Sequence, residues 1–454
     1  MTNIALIGAG STAFSIELLK DIAMLPSLNG SVLSLVDIDE KRLETAESLA
    51  TKYCRESRMD LRIKSFTDRR EALAGAEYVI CAVKIGGYTA LEKERTIAEE
   101  AGYYRGIGDR VSCYYGGIGA YHQIRFLQHL TADMTELCPD AWLVQTANPV
   151  FEGTNWVTRN TKIRSVGLCH GHNAYKEIAE ELGLDLEKVG AEVVGFNHCV
   201  WMTSFTFEGV NAYPLIDSWI RERSEDYWRS ERYNDPNRVF LKDQLSRAAV
   251  ETYRLYGIMP VGDTLRSATP WWMHTDYETK CRWFGKNGGF DSKIGWDSYL
   301  DSKIEIQKNL GELVASGRPV MEAYRPSNTT EQHIPFIDAL ANGNRRILTL
   351  NVPNNGSIEG LPEDILVEIP VVCDANGIHN VRVGRLPDKL MDMVILPRLV
   401  RARTIINAYE RRDREMLVLM LCDDPRTKSY EQAKTLIDEL LSLPWNASAA
   451  EHYR

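Results

Sequence analysis

The sequence predicts an α/β protein. Residues 1–195 are expected to form a Rossmann-like, doubly wound and mostly parallel sheet, and residues 196–454 a C-terminal α/β body. Three observations predict it. NIALIGAGSTAF places a short apolar strand, a glycine turn and a helix at the N-terminus; apolar strand-like runs then alternate with helical patterns as far as residue 195; and the second half mixes long amphipathic helices with a few strands.

The elements follow in order. In the first strand-turn-helix, Gly8 makes the tight turn, Gly10 lets the backbone approach a pyrophosphate, and Ala13 is the third small residue that lets helix and strand pack closely. Ser11 and Thr12 open the helix. The next strand, SVLSLVDID, delivers Asp37 where a carboxylate accepts from the adenosine ribose hydroxyls and repels a 2′-phosphate, so NAD is expected rather than NADP. KRLETAESLATKYC is helical, IKSFT a strand, REALAGA a helix and AEYVICAVKIGGY a buried strand, an order that requires a right-handed parallel sheet.

After the charged helix LEKERTIAEEAG, the stretch GYYRGIGDRVSCYYGGIGAYHQ loses periodicity. Asp109 and Arg110 at its head are candidate substrate contacts, Asp109 a candidate catalytic carboxylate, with a solvated connection as the alternative. A helix ending at Pro139 leads into AWLVQTANPVFE, whose tip is Asn148-Pro149. An amide there points toward a bound nicotinamide or sugar; Asn-Pro is also a common turn initiator.

Two pulses of ligand-type side chains then stand about thirty residues apart. VGLCHGH carries Cys169, His170 and His172 at a strand end, and GFNHCVW carries Asn197, His198 and Cys199 after another strand. Each alone reads as packing. Together they form a candidate metal site. Further on, MPVGDTLR sets Asp263 on a loop after Gly262, free to act as a base or to cap the following turn. The Trp-rich stretch from Trp271 reads as a lid or a subunit contact, and QHIPFIDALANG, ILTLNVPN and ILVEIPVVCD return to regular structure before the last helices.

The chain is 454 residues long, 44% hydrophobic and 26% charged, more than one core usually fills. Its net charge of −10, without a basic block, argues against a nucleic-acid partner. No apolar run approaches a membrane span, Met1 leads straight into a strand, and the nine scattered cysteines suit a reducing compartment, so a cytoplasmic location is expected.

IGAGST, Asn148-Pro149, GLCHGH, GFNHCVW, EQHIPFIDAL and NVPNNGSIEGLPEDILVEIP together resemble glycoside hydrolase family 4, the NAD- and divalent-metal-dependent glycosidases, nearly end to end. The Cys169-His170 pair is similar to members acting on unphosphorylated α-glycosides, since phospho-glycoside members tend to carry Asp or Asn after that cysteine. GYYRGI and YGIMPVGDTLR are most similar to the α-glucosidase and α-glucuronidase branches.

The resemblance implies a route in which NAD⁺ takes hydride from sugar C3, a base removes the acidified C2 proton, the aglycone leaves by elimination, and water and hydride are then restored. It implies Mn²⁺ or another divalent metal on Cys169 and His198, Asp263 as base, and His170 contacting a sugar hydroxyl or assisting the leaving group. Asn148, His172 and Arg266 are the expected sugar contacts. An α-glucoside is the expected substrate, with α-glucuronides, α-galactosides and α-galacturonides as alternatives, and a homodimer or homotetramer the expected assembly. An NAD-dependent hydroxyacid or sugar dehydrogenase and a nucleotide-sensing protein without turnover are the competing classes.

Overall fold

The computed structural model describes residues 1–105, 117–235 and 244–454. Its first part alternates strand and helix. Strands β1 (Asn3–Ile7), β2 (Ser31–Val36), β3 (Leu61–Phe66), β4 (Tyr78–Cys81), β5 (Trp142–Gln145) and β6 (Arg164–Gly167) lie in the order β3-β2-β1-β4-β5-β6, every neighbour parallel. Alternation along β1 feeds two cores: Ile4 and Leu6 join the helices Thr12–Ala23 and Glu40–Ser57, while Ala5 and Ile7 face the helices Gly117–Leu137 and Leu396–Arg411. Cover on both faces is why the inner strands read as apolar runs and β2 is buried along its whole length, whereas the edge strand β3, LRIKSF, alternates.

The second part is antiparallel. Strands β7 (Val189–Phe196) and β8 (Cys199–Phe207) form a hairpin, β9 (Val210–Asn211) pairs with β8, and β10 (Met259–Val261) extends the sheet beyond β8. The late strands β11 (Arg346–Pro353) and β12 (Leu366–Asp374) pair with each other, and β13 (Gly377–Asn380) adds to β12. They insert between the two halves: Asn351 of β11 pairs with Gly167 of β6, and Glu368 of β12 with Gly195 of β7. One sheet therefore runs unbroken from β10 to β3.

That insertion positions the site. The loop after β6, the β7-β8 turn, the loop after β10 and the middle of β11 and β12 converge on one place. Among the described residues no helix is long and apolar enough to cross a membrane.

Candidate active site

The glycine turn has the expected form. Gly8 holds φ 96°, and a β-carbon there would stand 3.1 Å from the Ala82 carbonyl carbon, so only glycine lets the turn pass the end of β4. The Gly10 N–H donates to Asp37 Oδ2 at 2.8 Å and the Asp39 N–H to Asp37 Oδ1 at 3.0 Å. Asp37 thus shapes the turn. Ser11 makes no side-chain cap at the helix Thr12–Ala23, whose first turn carries no acidic residue, and Thr12 Oγ1 is buried without a hydrogen-bond partner. An uncapped helix N-terminus with an idle hydroxyl fits a pyrophosphate. Ile38, 93% exposed beside Asp37, offers an apolar face to a base.

The two ligand pulses meet. Asn197 and His198 form the two-residue turn between β7 and β8, closed by the Phe196–Cys199 pair, with His198 at φ 58° and its carbonyl held by the Ser267 hydroxyl. His198 Nε2 stands 3.3 Å from Asp263 Oδ2. Cys169 is close enough to feel both Asp263 and Glu368, and the Asn197 side chain hydrogen-bonds its sulfur. Beneath them Glu368, fully buried in β12, accepts from Asn197 Nδ2 at 3.1 Å and Asn351 Nδ2 at 3.0 Å.

Burial and charge set the state of each group. Burial pushes the Cys169 thiol well above its ordinary value, and the Glu368 and Asp263 carboxylates push it further. Burial lowers His198 to about 4, leaving a neutral imidazole with a lone pair to give. Burial opposes ionisation of Asp263, but Arg266, His198 and His170 overcome it and hold the carboxyl below its usual range. Glu368, desolvated, rises to about 7.

A thiol, a neutral imidazole, the half-buried Asp263 carboxylate and the buried Glu368 form a donor set that gains from a divalent cation. Among the described residues no group of three or more His, Cys, Asp or Glu side chains is placed to hold a metal ion. Cys169 and His198 would hold a metal sparsely, with positions left for substrate oxygens.

Asp263 and Arg266 open onto a cavity of about 400 Å³ shared with His170, Lys176, His274, Phe290 and Asp291. Its walls are the loops after β6 and β10 and the segment 284–291. His170, its side chain 59% exposed, pairs through Nδ1 with Glu331 Oε1 at 3.3 Å, and His333 Nδ1 lies 3.3 Å from the other Glu331 oxygen. Glu331 raises the His170 imidazole and is itself held well below the usual carboxylate range, the two histidines outweighing its burial.

The remaining expected residues fall elsewhere. His172 is buried, its Nδ1 3.9 Å from Glu368 and its Nε2 near Asn173, off the cavity wall. Asn148 precedes a cis Asn148–Pro149 bond and lines a second, smaller cavity with Lys84, Gly86, Glu94 and Gln123. Asp109 and Arg110 lie outside the described residues. In the Trp-rich stretch, His274, Phe284, Phe290 and Asp291 face the cavity, while Trp271 and Trp272 are exposed. Glu331 and Glu368 are not among the sequence candidates, although a glutamate in the otherwise apolar ILVEIPVVCD is a signal that could have marked Glu368.

Comparison with known proteins bears on the family and the fold. The family 4 glycosyl hydrolase model matches residues 3–184, and that family's C-terminal domain model matches residues 193–427. The chain is 26% identical to an α-galactosidase of Bacillus subtilis (strain 168), each covered to 96%. It is 25% identical to an α-galacturonidase of Thermoanaerobacter italicus, covering 96% of this chain and 95% of that one, and 25% identical to an α-glucosidase of Erwinia rhapontici over 98% of both. The fold is that of a Thermotoga maritima 6-phospho-β-glucosidase solved with manganese, NAD⁺ and glucose-6-phosphate, at a TM-score of 0.75 and 21% identity over 100% of this chain and 99% of that one. A 6-phospho-α-glucosidase from gut microorganisms, in complex with NAD and glucose-6-phosphate, gives 0.79 at 20% identity with the same coverage. With both of its domain models matched over most of its length, this chain belongs to the family 4 glycosyl hydrolases.

Proposed function

We propose that this glycosyl hydrolase cleaves unphosphorylated α-glycosides, an α-glucoside first among them, by elimination across C1 and C2 in the presence of NAD⁺ and a divalent metal such as Mn²⁺. The observation that carries the reading is Asp263: a carboxylate held ionised in the cavity wall, 3.3 Å from His198 and beside Cys169. A glycosidase working through two carboxylates flanking the bond needs one of them protonated as acid. Here an ionised carboxylate of the cavity wall stands instead beside a thiol and an imidazole.

NAD⁺ supplies reversible oxidation of the sugar and the metal supplies Lewis acidity. The turn at Gly8–Gly10, the open helix end at Ser11 and Thr12, and Asp37 would hold the dinucleotide; Cys169 and His198 would hold the metal. Asp263 takes the proton at C2, and Arg266 keeps it ionised. His170, whose protonated form Glu331 favours, lines the cavity and gives a proton to the departing oxygen. His170 after Cys169, where phospho-glycoside members tend to carry Asp or Asn, supports an unphosphorylated substrate, and the curated relatives above act on α-galactosides, α-galacturonides and α-glucosides.

The test is one assay: p-nitrophenyl α-glucoside, and the α-galactoside beside it, with NAD⁺, Mn²⁺ and a thiol reductant, read for both nitrophenol and net NADH. Nitrophenol release that requires NAD⁺ yet accumulates no NADH is the expected result. Stoichiometric NADH would make the protein a dehydrogenase, and neither product a sensor.

A further inference from the structure

Behind the base stands a second buried carboxylate. Asp291 is 4% exposed and is reached by two arginines from different parts of the fold. Arg95, on the helix Gly87–Glu100 that follows the cofactor-side strand β4, donates to its Oδ1 at 3.4 Å; Arg266, on the short helix after Asp263, places Nε 3.6 Å from its Oδ2. Arg266 in turn lies 3.8 Å over the Phe290 ring and bonds Asp263 Oδ1 at 3.3 Å. Asp263, Arg266, Asp291 and Arg95 form one chain of charge, mostly out of water.

Asp291 is itself held rigidly. Lys280 Nζ donates to its carbonyl at 3.5 Å, and the next residue, Ser292, bonds the Gly289 carbonyl at 2.9 Å and caps the helix Lys293–Ala315. Arg95 packs 4.6 Å over the Trp296 ring of that helix. An arginine with a long, flexible stem is fixed only as well as the groups around its guanidinium are fixed. Asp263 sits on a loop after a left-handed glycine, with His198 at its Oδ2 and Arg266 at its Oδ1.

We propose that Asp291 is a positioning residue: by clamping Arg266 against Phe290 it aims that guanidinium at Asp263, holds the base in one orientation toward the substrate, and ties it through Arg95 to the cofactor half of the fold. The proposal rests on Asp263 being the base for C2. Asp291 lines the same cavity as Asp263 and reaches that carboxylate through Arg266.

The test compares the holoenzyme with its Asp291→Asn and Asp291→Glu variants. Hydrolysis of p-nitrophenyl α-glucoside carrying protium or deuterium at C2 is measured, and the crystal structure of Asp291→Asn is solved. Misaiming a base by an ångström costs on the order of a hundredfold, so kcat in Asp291→Asn should fall between about tenfold and a hundredfold with KM changed less than about threefold. The isotope effect at C2 should rise above that of the unaltered enzyme, because proton abstraction becomes the slow step, and Arg266 should leave Asp263 in the crystal. Asp291→Glu, which keeps the charge, should recover part of the rate. A merely structural role would reduce the active fraction and leave the isotope effect alone. An unchanged isotope effect and kcat in Asp291→Asn, or Arg266 still on Asp263 in its crystal structure, overturns the proposal. Failure of the unaltered enzyme to cleave any α-glycoside would instead refute the glycosidase reading, while the crystal structure still decides the clamp.

Discussion

A β-carbon on Gly262 would lie 2.5 Å from the carbonyl oxygen of Gly171. The loop that carries Asp263 and the loop that carries Cys169 and His170 are therefore in backbone contact, and Gly262, at φ 62°, is the residue that permits it.

Gly262→Ala should cost about 1–2 kcal/mol for a side chain in the left-handed region, and more for the clash with backbone that has no rotamer to give. The larger effect should be on rate. Asp263 displaced by about an ångström should lower kcat roughly a hundredfold while a folded protein remains. Thermal unfolding and steady-state kinetics on the same sample check this; an alanine variant with unaltered kcat would mean that the contact between the two loops does not set the base.

Cys169→Ser and His198→Ala should both abolish turnover and bound metal, and EDTA should reproduce the loss reversibly on addition of Mn²⁺. Elemental analysis of the purified variants decides the point: either variant retaining full metal content and activity moves the site elsewhere.

Glu368→Gln keeps the shape of a side chain that bonds both Asn197 and Asn351 but removes its charge beneath the candidate metal ligands. Outer partners of metal ligands are typically worth about 10–100-fold in affinity, and a loss of that size in Mn²⁺ binding is expected, read by titration of the metal-free protein.

Lys280 is buried, which lowers its ammonium to about 8 in spite of Asp291, from 10.5 when exposed. Its folded value lies below its unfolded one, so between these limits the unfolded chain holds more protons, and stability contributed by this group rises with pH. Relative to Lys280→Met, the unaltered protein should gain about 1–3 kcal/mol on going from pH 8 to pH 10.5. Denaturant unfolding of both proteins at the two pH values measures the difference; parallel stability curves would show that Lys280 is not desolvated.

Much of this was legible in the sequence because it is local. Gly8, Gly10 and Asp37 announce themselves by spacing, and the Cys169-His170 and Asn197-His198 pulses by their position after apolar strands. What the sequence did not show is long-range. Asn351 and Glu368 reach the site only because β11 and β12 slide between β6 and β7, antiparallel neighbours that no periodicity dictates. Glu331 lies in a stretch singled out for its resemblance, yet its place between His170 and His333 depends on a loop folding back over the sheet. Asn148 and His172 were expected at the sugar; Asn148 lines the smaller cavity, and His172 is buried off the wall of the larger one.

Proton removal at C2 by Asp263 is the central claim, and turnover in D₂O tests it most directly. A carbon-bound proton lost to a carboxylate and regained from a group in exchange with solvent leaves its mark in the product. The sugar released from p-nitrophenyl α-glucoside in D₂O should carry deuterium at C2, detected by proton NMR or mass spectrometry. Product with only protium at C2 would contradict the account.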